Sequence, residues 1–129
     1  MKRICVIPAR MGSSRFPGKP LIKINGCELI HHVYKNCTKC KIFNEVIIAT
    51  PDKEILDFGK TIDATTIITS NEHERASDRV NEVLLRLEEA ENQINTITMV
   101  QGDEPLVTAD VIEKITLGLE KEPGNICAN

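Results

Sequence analysis

Arg3-Ile-Cys-Val-Ile7, running into Pro8-Ala-Arg-Met-Gly-Ser-Ser-Arg-Phe-Pro-Gly-Lys-Pro-Leu21, is the stretch on which the reading of the fold turns. Ile4, Val6 and Ile7 belong to a short apolar run that stops at Pro8, the pattern of a buried strand. Pro8, Gly12, Pro17, Gly18 and Pro20 then rule out regular helix over residues 8–20. Outward from there, strand and helix signals alternate. Leu21–Ile24 reads as extended and Asn25-Gly26 as a turn. Residues 28–40 read as helix and Glu45–Ala49 as a second buried strand. Thr50 is the expected N-cap of the next helix, with Pro51 at N1, Asp52 and Glu54 in the first turn, and an end near Ile62. Thr65–Thr69 reads as a third strand. Ser77 or Asp78 is expected to open a helix with Val80, Val83, Leu84, Leu87 and Ala90 on one face. Thr96–Val100 is the fourth strand. A helix over 109–121 is expected to bury Ile112, Ile115 and Leu119, and residues 125–128 look like the opening of one more strand. This order predicts an α/β fold: a mostly parallel, Rossmann-like sheet with helices on both faces. In such sheets ligands sit beyond the carboxyl ends of the strands. Both unusual loops, 8–20 and 101–105, follow strands.

Composition narrows the function. The chain has 129 residues, room for one domain, and 41% hydrophobic with 27% charged residues is the balance of a globular protein. Aromatics are only 3%, too few for stacking platforms along a nucleic acid. The net charge of −3 also argues against a polyanion binder. No apolar run approaches the ~20 residues of a membrane span. The opening apolar run ends at Pro8 and Arg10, which argues against a signal peptide and predicts a cytoplasmic location. The net charge hides an asymmetry: residues 1–23 carry Lys2, Arg3, Arg10, Arg15, Lys19 and Lys23 and no acid. A segment of +6 thus sits on a remainder of −9.

The five cysteines are odd in number, which argues against a disulfide framework. Cys37-Thr-Lys-Cys40 has metal or redox spacing, with His31 and His32 nearby. No second Cys-x-x-Cys completes a tetrahedral set, and free cysteine is commonly buried, so a zinc or redox protein is a minor alternative.

Three segments can carry chemistry. In the first, Arg10, Arg15 and Lys19 stand among Gly12, Ser13, Ser14 and Gly18. Glycine lets backbone N–H groups approach one anion, and guanidinium forks match phosphate oxygens. The set suits a di- or triphosphate. It is not a Walker loop, since five residues separate Gly12 from Gly18 and Pro20 follows Lys19. The dinucleotide Gly-x-Gly-x-x-Gly pattern is absent. The second segment is Gln101-Gly-Asp-Glu-Pro105, which places Asp103 at a strand end. A carboxylate there can hold Mg²⁺ against substrate phosphates; an ordinary β-to-α turn is the competing reading. The third is His73-Glu-Arg-Ala-Ser-Asp-Arg79. Ser77 and the helix start are placed to meet a ribose, base edge or anion, or simply to cap the helix. His73 is given no catalytic role.

In this order the three segments resemble the 3-deoxy-manno-octulosonate (Kdo) cytidylyltransferase family. That family's strand and Ile-Pro-Ala-Arg-x-x-Ser-x-Arg-Leu-Pro-Gly-Lys-Pro-Leu loop corresponds to Ile7–Leu21. Its Gln-Gly-Asp-Glu-Pro corresponds to Gln101–Pro105 without a change. Sialic-acid cytidylyltransferases are a more distant likeness, because their loop diverges after Ala-Arg-x-Gly-Ser. The resemblance implies a nucleotide-diphospho-sugar-transferase-like fold. It implies transfer of CMP from CTP to the anomeric hydroxyl of Kdo or a close analogue, with release of pyrophosphate, for lipopolysaccharide synthesis. Arg10, Ser13, Ser14, Arg15 and Lys19 would hold the CTP phosphates, Ala9 and Gly12 would complete the nucleotide-binding loop, and Ser77 would approach the nucleotide. Gln101 would lie near the nucleotide or sugar. Asp103 would ligate Mg²⁺. Arg10, Arg15, Lys19 and Asp103 would be the catalytic set, because in-line attack on an α-phosphorus needs neutralised phosphate oxygens and a good leaving group.

Two departures bear on specificity and extent. The family usually has Ser-Gly-Thr where this chain has Arg75-Ala-Ser77, which points toward a modified Kdo or altered base contacts. The match covers about the first half of a family member. Residues 1–129 are therefore expected to be the nucleotide-binding half of one domain. Most of the sugar site, a second metal-binding Asp and the homodimer interface would lie in the other half. A non-catalytic nucleotide-binding module is the alternative of another class.

Overall fold

The computed structural model describes residues 2–12, 18–73, 75–90, 94, 96–102, 107–119 and 127–128. β1 (Arg3–Pro8), β4 (Glu45–Thr50), β5 (Thr65–Ile68) and β6 (Thr96–Met99) form a parallel sheet in the order β5-β4-β1-β6, with the two-residue β7 (Cys127–Ala128) beside β6. β1 lies in the middle, with Ile4 opposite Ile97 on one side and Glu45 on the other. Its alternate side chains feed two cores. Cys5, Ile7 and Ala9 pack with Ile30, Val33 and Cys37 of α1 (Leu29–Lys39), Ile55 of α2 (Lys53–Thr61) and Ile112 of α4 (Ala109–Leu119). Ile4 and Val6 pack with Val80 and Val83 of α3 (Ala76–Ala90). The continuous apolar run of β1 is thus explained by burial on both faces, which a parallel sheet requires. Among the described residues no helix is long and apolar enough to cross a membrane.

Between β1 and α1 the described residues include a 3-10 turn (Lys19–Leu21) and a small hairpin, β2 (Lys23–Ile24) with β3 (Cys27–Glu28). Asn25 and Gly26, at φ 54° and 81°, form its two-residue turn, as their left-handed tolerance predicts.

Some boundaries differ from expectation. Thr50 is the last residue of β4, not a cap. Its hydroxyl accepts the Asp52 N–H at 3.1 Å, so the turn closes one step later, and Asp52 is the N-cap of α2. α3 begins at Ala76, so Ser77 and Asp78 lie inside its first turn rather than opening it. On α4 Ile112 is buried as expected, but Ile115 is only half-buried, and Thr116 is fully buried instead. Its hydroxyl meets Thr98 at 2.6 Å and donates to the Ile112 carbonyl at 2.9 Å, which satisfies the polar atom inside the core. The expected position of Leu119's side chain and the helix end at 121 lie outside the described residues.

Candidate nucleotide site at the carboxyl edge of the sheet

The strand order reverses between β1 and β6: the chain moves outward from β1 through β4 to β5, then returns to β1's other side. Such a switch point opens a crevice at the carboxyl ends of the two flanking strands. The two loops singled out in the sequence leave the sheet at this point.

Backbone hydrogen bonds sew these loops together. Val100 N–H donates to Val6 O at 3.0 Å, and Gly102 N–H to Pro8 O at 3.2 Å. The approach is so close that a Cβ on Gly102 would stand 3.0 Å from the Ala9 Cβ and 3.1 Å from the Pro8 carbonyl oxygen. Any side chain at Gly102 would therefore press on Ala9 and the Pro8 carbonyl. On the other side, Ala9 N–H donates to Ala49 O at 2.9 Å.

The base of the long loop is also closed. Gly18 N–H donates to Met11 O at 2.8 Å, with Gly18 in the left-handed region at φ 77°. Met11 N–H donates to the Asp52 carboxylate at 2.7 Å. The loop is thereby tied to the start of α2, 41 residues away in sequence.

Of the residues expected in the site, Ala9 is buried, Arg10 and Gly12 are exposed, and Lys19 and Gln101 are half-buried. Ser13, Ser14, Arg15 and Asp103 lie outside the described residues. Ser77 is exposed on the first turn of α3.

Two contributors were not picked out from the sequence. One is Asp52, expected only as a first-turn acid; its capping signature was visible, its tie to Met11 was not. The other is Arg79, which is only 3% exposed. Its Nε donates to the Thr69 hydroxyl at 2.9 Å, and a second guanidinium nitrogen reaches the Ser70 carbonyl at 3.4 Å. Burial lowers its pKa, and the nearby Arg10 charge lowers it further, while Asp52 and Glu82 oppose both. Arg79 therefore senses both Arg10 and Asp52 electrostatically. A buried guanidinium whose charge is disfavoured by burial and by a second cation is a group whose charge a bound anion would favour.

The 69–73 loop is clamped from α3. Glu82 accepts the Ser70 N–H at 2.9 Å and lies 2.7 Å from His73 Nε2. It also pairs with Arg86, which donates to the Ile68 carbonyl at 2.6 Å. His73 is accounted for by this clamp. Burial alone would raise the Glu82 pKa, but the Ser70 N–H, His73 and Arg86 outweigh it and hold the carboxyl below its ordinary range. A lowered folded-state pKa adds stability above the unfolded value of ~4.3, and that stability is lost as pH falls through the folded value. Glu82→Gln is expected to flatten the fall in stability below about pH 4.3. Urea unfolding at several acidic pH values measures this; an unchanged acid slope would show that the clamp does not couple to folding.

Cys37 and Cys40, the minor metal or redox alternative, are both buried in the core. A hydrogen bond with Cys37 and burial push the Cys5 thiol up, and burial pushes Cys40 up, which disfavours the thiolate form of both.

Known proteins with this arrangement agree on its class. A solved structure of CMP:2-keto-3-deoxy-manno-octonic acid synthetase complexed with CTP superposes with a TM-score of 0.86 at 34% identity, over 95% of this chain and 48% of the other. A cytidylyltransferase from Leptospira borgpetersenii shares the fold, with a TM-score of 0.75 at 20% identity over 92% of this chain and 48% of that one. Among curated relatives, the 3-deoxy-manno-octulosonate cytidylyltransferase of Thermodesulfovibrio yellowstonii is 37% identical over 129 residues, 98% of this chain and 51% of the relative. The 8-amino-3,8-dideoxy-manno-octulosonate cytidylyltransferase of Shewanella sp. (strain W3-18-1) is 40% identical over 126 residues, 96% of this chain and 50% of the relative. The chain spans about half the length of the curated relatives it matches. A family model described as cytidylyltransferase matches residues 4–126, from the central strand through both loops of the switch point, and the chain belongs to that family.

Proposed function

We propose that this chain carries the CTP site of a sugar-acid cytidylyltransferase. The enzyme moves CMP from CTP to the anomeric hydroxyl of 3-deoxy-manno-octulosonate and releases pyrophosphate. The observation that carries this reading is the closed loop that bears Arg10 at the β1/β6 switch point, tied to the Asp52 carboxylate through Met11 and to the 100–102 segment through Gly102. Support comes from the fold's agreement with a structure complexed with CTP. The 8-amino sugar named for several Shewanella relatives at 38–40% identity favours an amino-Kdo acceptor as the second reading. The altered Arg75-Ala-Ser77 segment is where that preference would be expressed.

In this mechanism Arg10, Arg15 and Lys19 bind the triphosphate, while the Ala9, Met11 and Gly18 N–H groups are used inside the protein to shape the loop. Arg79 adds fixed positive potential from within the protein. It keeps Thr69 and Ser70 in place through its two hydrogen bonds. Gln101, half-buried just beyond β6, would face the nucleotide or sugar. Mg²⁺ is the implied metal, and the donor set fits a hard cation: Asp52 and Gln101 at this edge offer oxygen, and Asp103 follows directly on Gly102. Asp103 would hold the ion, which when bound neutralises phosphate oxygens and favours pyrophosphate departure. In this reading the enzyme works in the cytoplasm, with CTP and an acidic sugar as its small-molecule partners, and the full-length protein is a homodimer.

Calorimetric titration with CTP, with and without Mg²⁺, tests the reading; no CTP binding under either condition would sink it. Asp103→Asn is expected to weaken binding in Mg²⁺ by at least tenfold and to leave metal-free binding near wild type. Equal losses in both titrations would remove the metal role. Asp52 supplies a further test with a definite sign. By charge alone, removing an acid beside a phosphate site tightens binding. If Asp52 instead anchors the loop through Met11, Asp52→Ala weakens CTP binding, and Asp52→Asn, which keeps an acceptor oxygen, does not. Tighter CTP binding by Asp52→Ala would show that the anchor does not matter.

A further inference from the structure

A second group of ligating side chains lies outside the switch-point crevice, where the β2–β3 hairpin meets α1. Cys27 and Glu28 form β3, and His31 lies in the first turn of α1. The Cys27 sulfur, a Glu28 carboxylate oxygen and a His31 ring nitrogen all lie within 4.8 Å of one another, and all three residues are half-buried. Donors around a tetrahedral zinc ion stand roughly 3.5 Å apart, given bond lengths of about 2.0–2.3 Å. Small side-chain rotations therefore bring the three onto one ion.

The backbone that carries them is well held. The Asn25-Gly26 turn fixes the hairpin, and Leu29 N–H donates to Ile22 O at 2.8 Å. His32 Nε2 donates to the Ile24 carbonyl at 2.6 Å. The His31 ring packs edge-on to Phe58, with centroids 6.0 Å apart, which orients it. Glu28 occupies the N-cap position of α1, but its side chain makes no capping bond there. No other function of the hairpin described above uses these three side chains.

The geometry points to a binding site for a thiophilic divalent ion of the zinc class, held by Cys27, Glu28 and His31. A thiolate, an imidazole and a carboxylate form a mixed sulfur–nitrogen–oxygen set. Mg²⁺ takes oxygen ligands and is disfavoured here, so this site and the CTP site select different metals. Three protein ligands leave a fourth tetrahedral position for water or an added ligand. Binding displaces the Cys27 thiol proton to solvent as the metal–sulfur bond forms. The bound ion ties β3 to α1 across the first helical turn.

Cobalt(II) serves as the spectroscopic probe. Titration of the reduced protein with Co²⁺ is expected to saturate at one ion per chain and to give a sulfur-to-cobalt charge-transfer band in the near ultraviolet. Zn²⁺ should abolish the band, and millimolar Mg²⁺ should leave it unchanged. Cys27→Ser should lose the band, and His31→Gln should weaken Co²⁺ binding at least tenfold while circular dichroism stays native. Absence of a band in the wild type overturns the proposal. A full-strength band in Cys27→Ser, or unchanged affinity in His31→Gln, assigns the ion elsewhere and overturns it equally. CTP titration of the same variants should match wild type, which keeps this test separate from that of the nucleotide site.

Discussion

Arg10→Ala is expected to weaken CTP binding by about 10- to 100-fold while leaving thermal stability within about 0.5 kcal/mol of wild type. The two halves of that expectation have different origins. Arg10 is exposed and lies beyond the last residue of β1, so the fold loses little when its side chain is removed. A guanidinium on phosphate makes charge-assisted hydrogen bonds worth about 1.5–3 kcal/mol, and that range sets the loss in affinity. Arg10→Lys should recover part of the binding, because a point charge remains but the bidentate fork does not. Arg79 is the contrasting case, since its guanidinium is buried on Thr69 and Ser70 and its removal would disturb the fold as well. Isothermal titration with CTP, paired with a melting curve, measures both quantities. Wild-type affinity in Arg10→Ala would remove Arg10 from the phosphate site.

Gly102→Val is expected to separate the two loops of the crevice, destabilise the protein by about 1–3 kcal/mol and reduce CTP binding by an order of magnitude or more. Even the Cβ of alanine would press on Ala9 and on the Pro8 carbonyl oxygen. Valine adds two methyl groups to that contact. Both neighbours are tied to the sheet, Ala9 by its bond to Ala49 and Pro8 by membership of β1, so neither yields cheaply. Strain at this point falls on the Gly102–Pro8 hydrogen bond that holds the loops together. Denaturant unfolding gives the stability change, and a CTP isotherm gives the functional one. A variant with wild-type values for both would show that the loops need not approach so closely.

Much of the architecture could be read from local pattern. The runs at Arg3–Ile7, Glu45–Ala49 and Thr96–Val100 mark strands, and the alternation with amphipathic segments implies a parallel sheet. The Asn25-Gly26 turn was legible because few residues adopt φ > 0 without strain. The helix starts were less so. Thr50 and Ser77 are good caps by type, yet β4 claims Thr50 and α3 starts before Ser77. Hydrogen-bonded neighbours, unseen in a linear pattern, decide such ends. Thr116 escaped a reading based on apolar periodicity because its partner, Thr98, comes from another element.

The basic, glycine- and proline-rich loop after β1 and the Gln-Gly-Asp-Glu-Pro turn after β6 are written in residue type and spacing, and so is the phosphate chemistry they suit. Their residues state which groups are available, since charge, hydroxyl and backbone freedom are local properties. That β1 and β6 lie side by side, that Gly102 stands against Ala9 and Pro8, that Asp52 reaches back to Met11, and that Arg79 turns inward onto Thr69 and Ser70 are decided only by the folded sheet. Each is a contact between separate segments, created when the strands pair in the order β5-β4-β1-β6 and absent from any single stretch of chain.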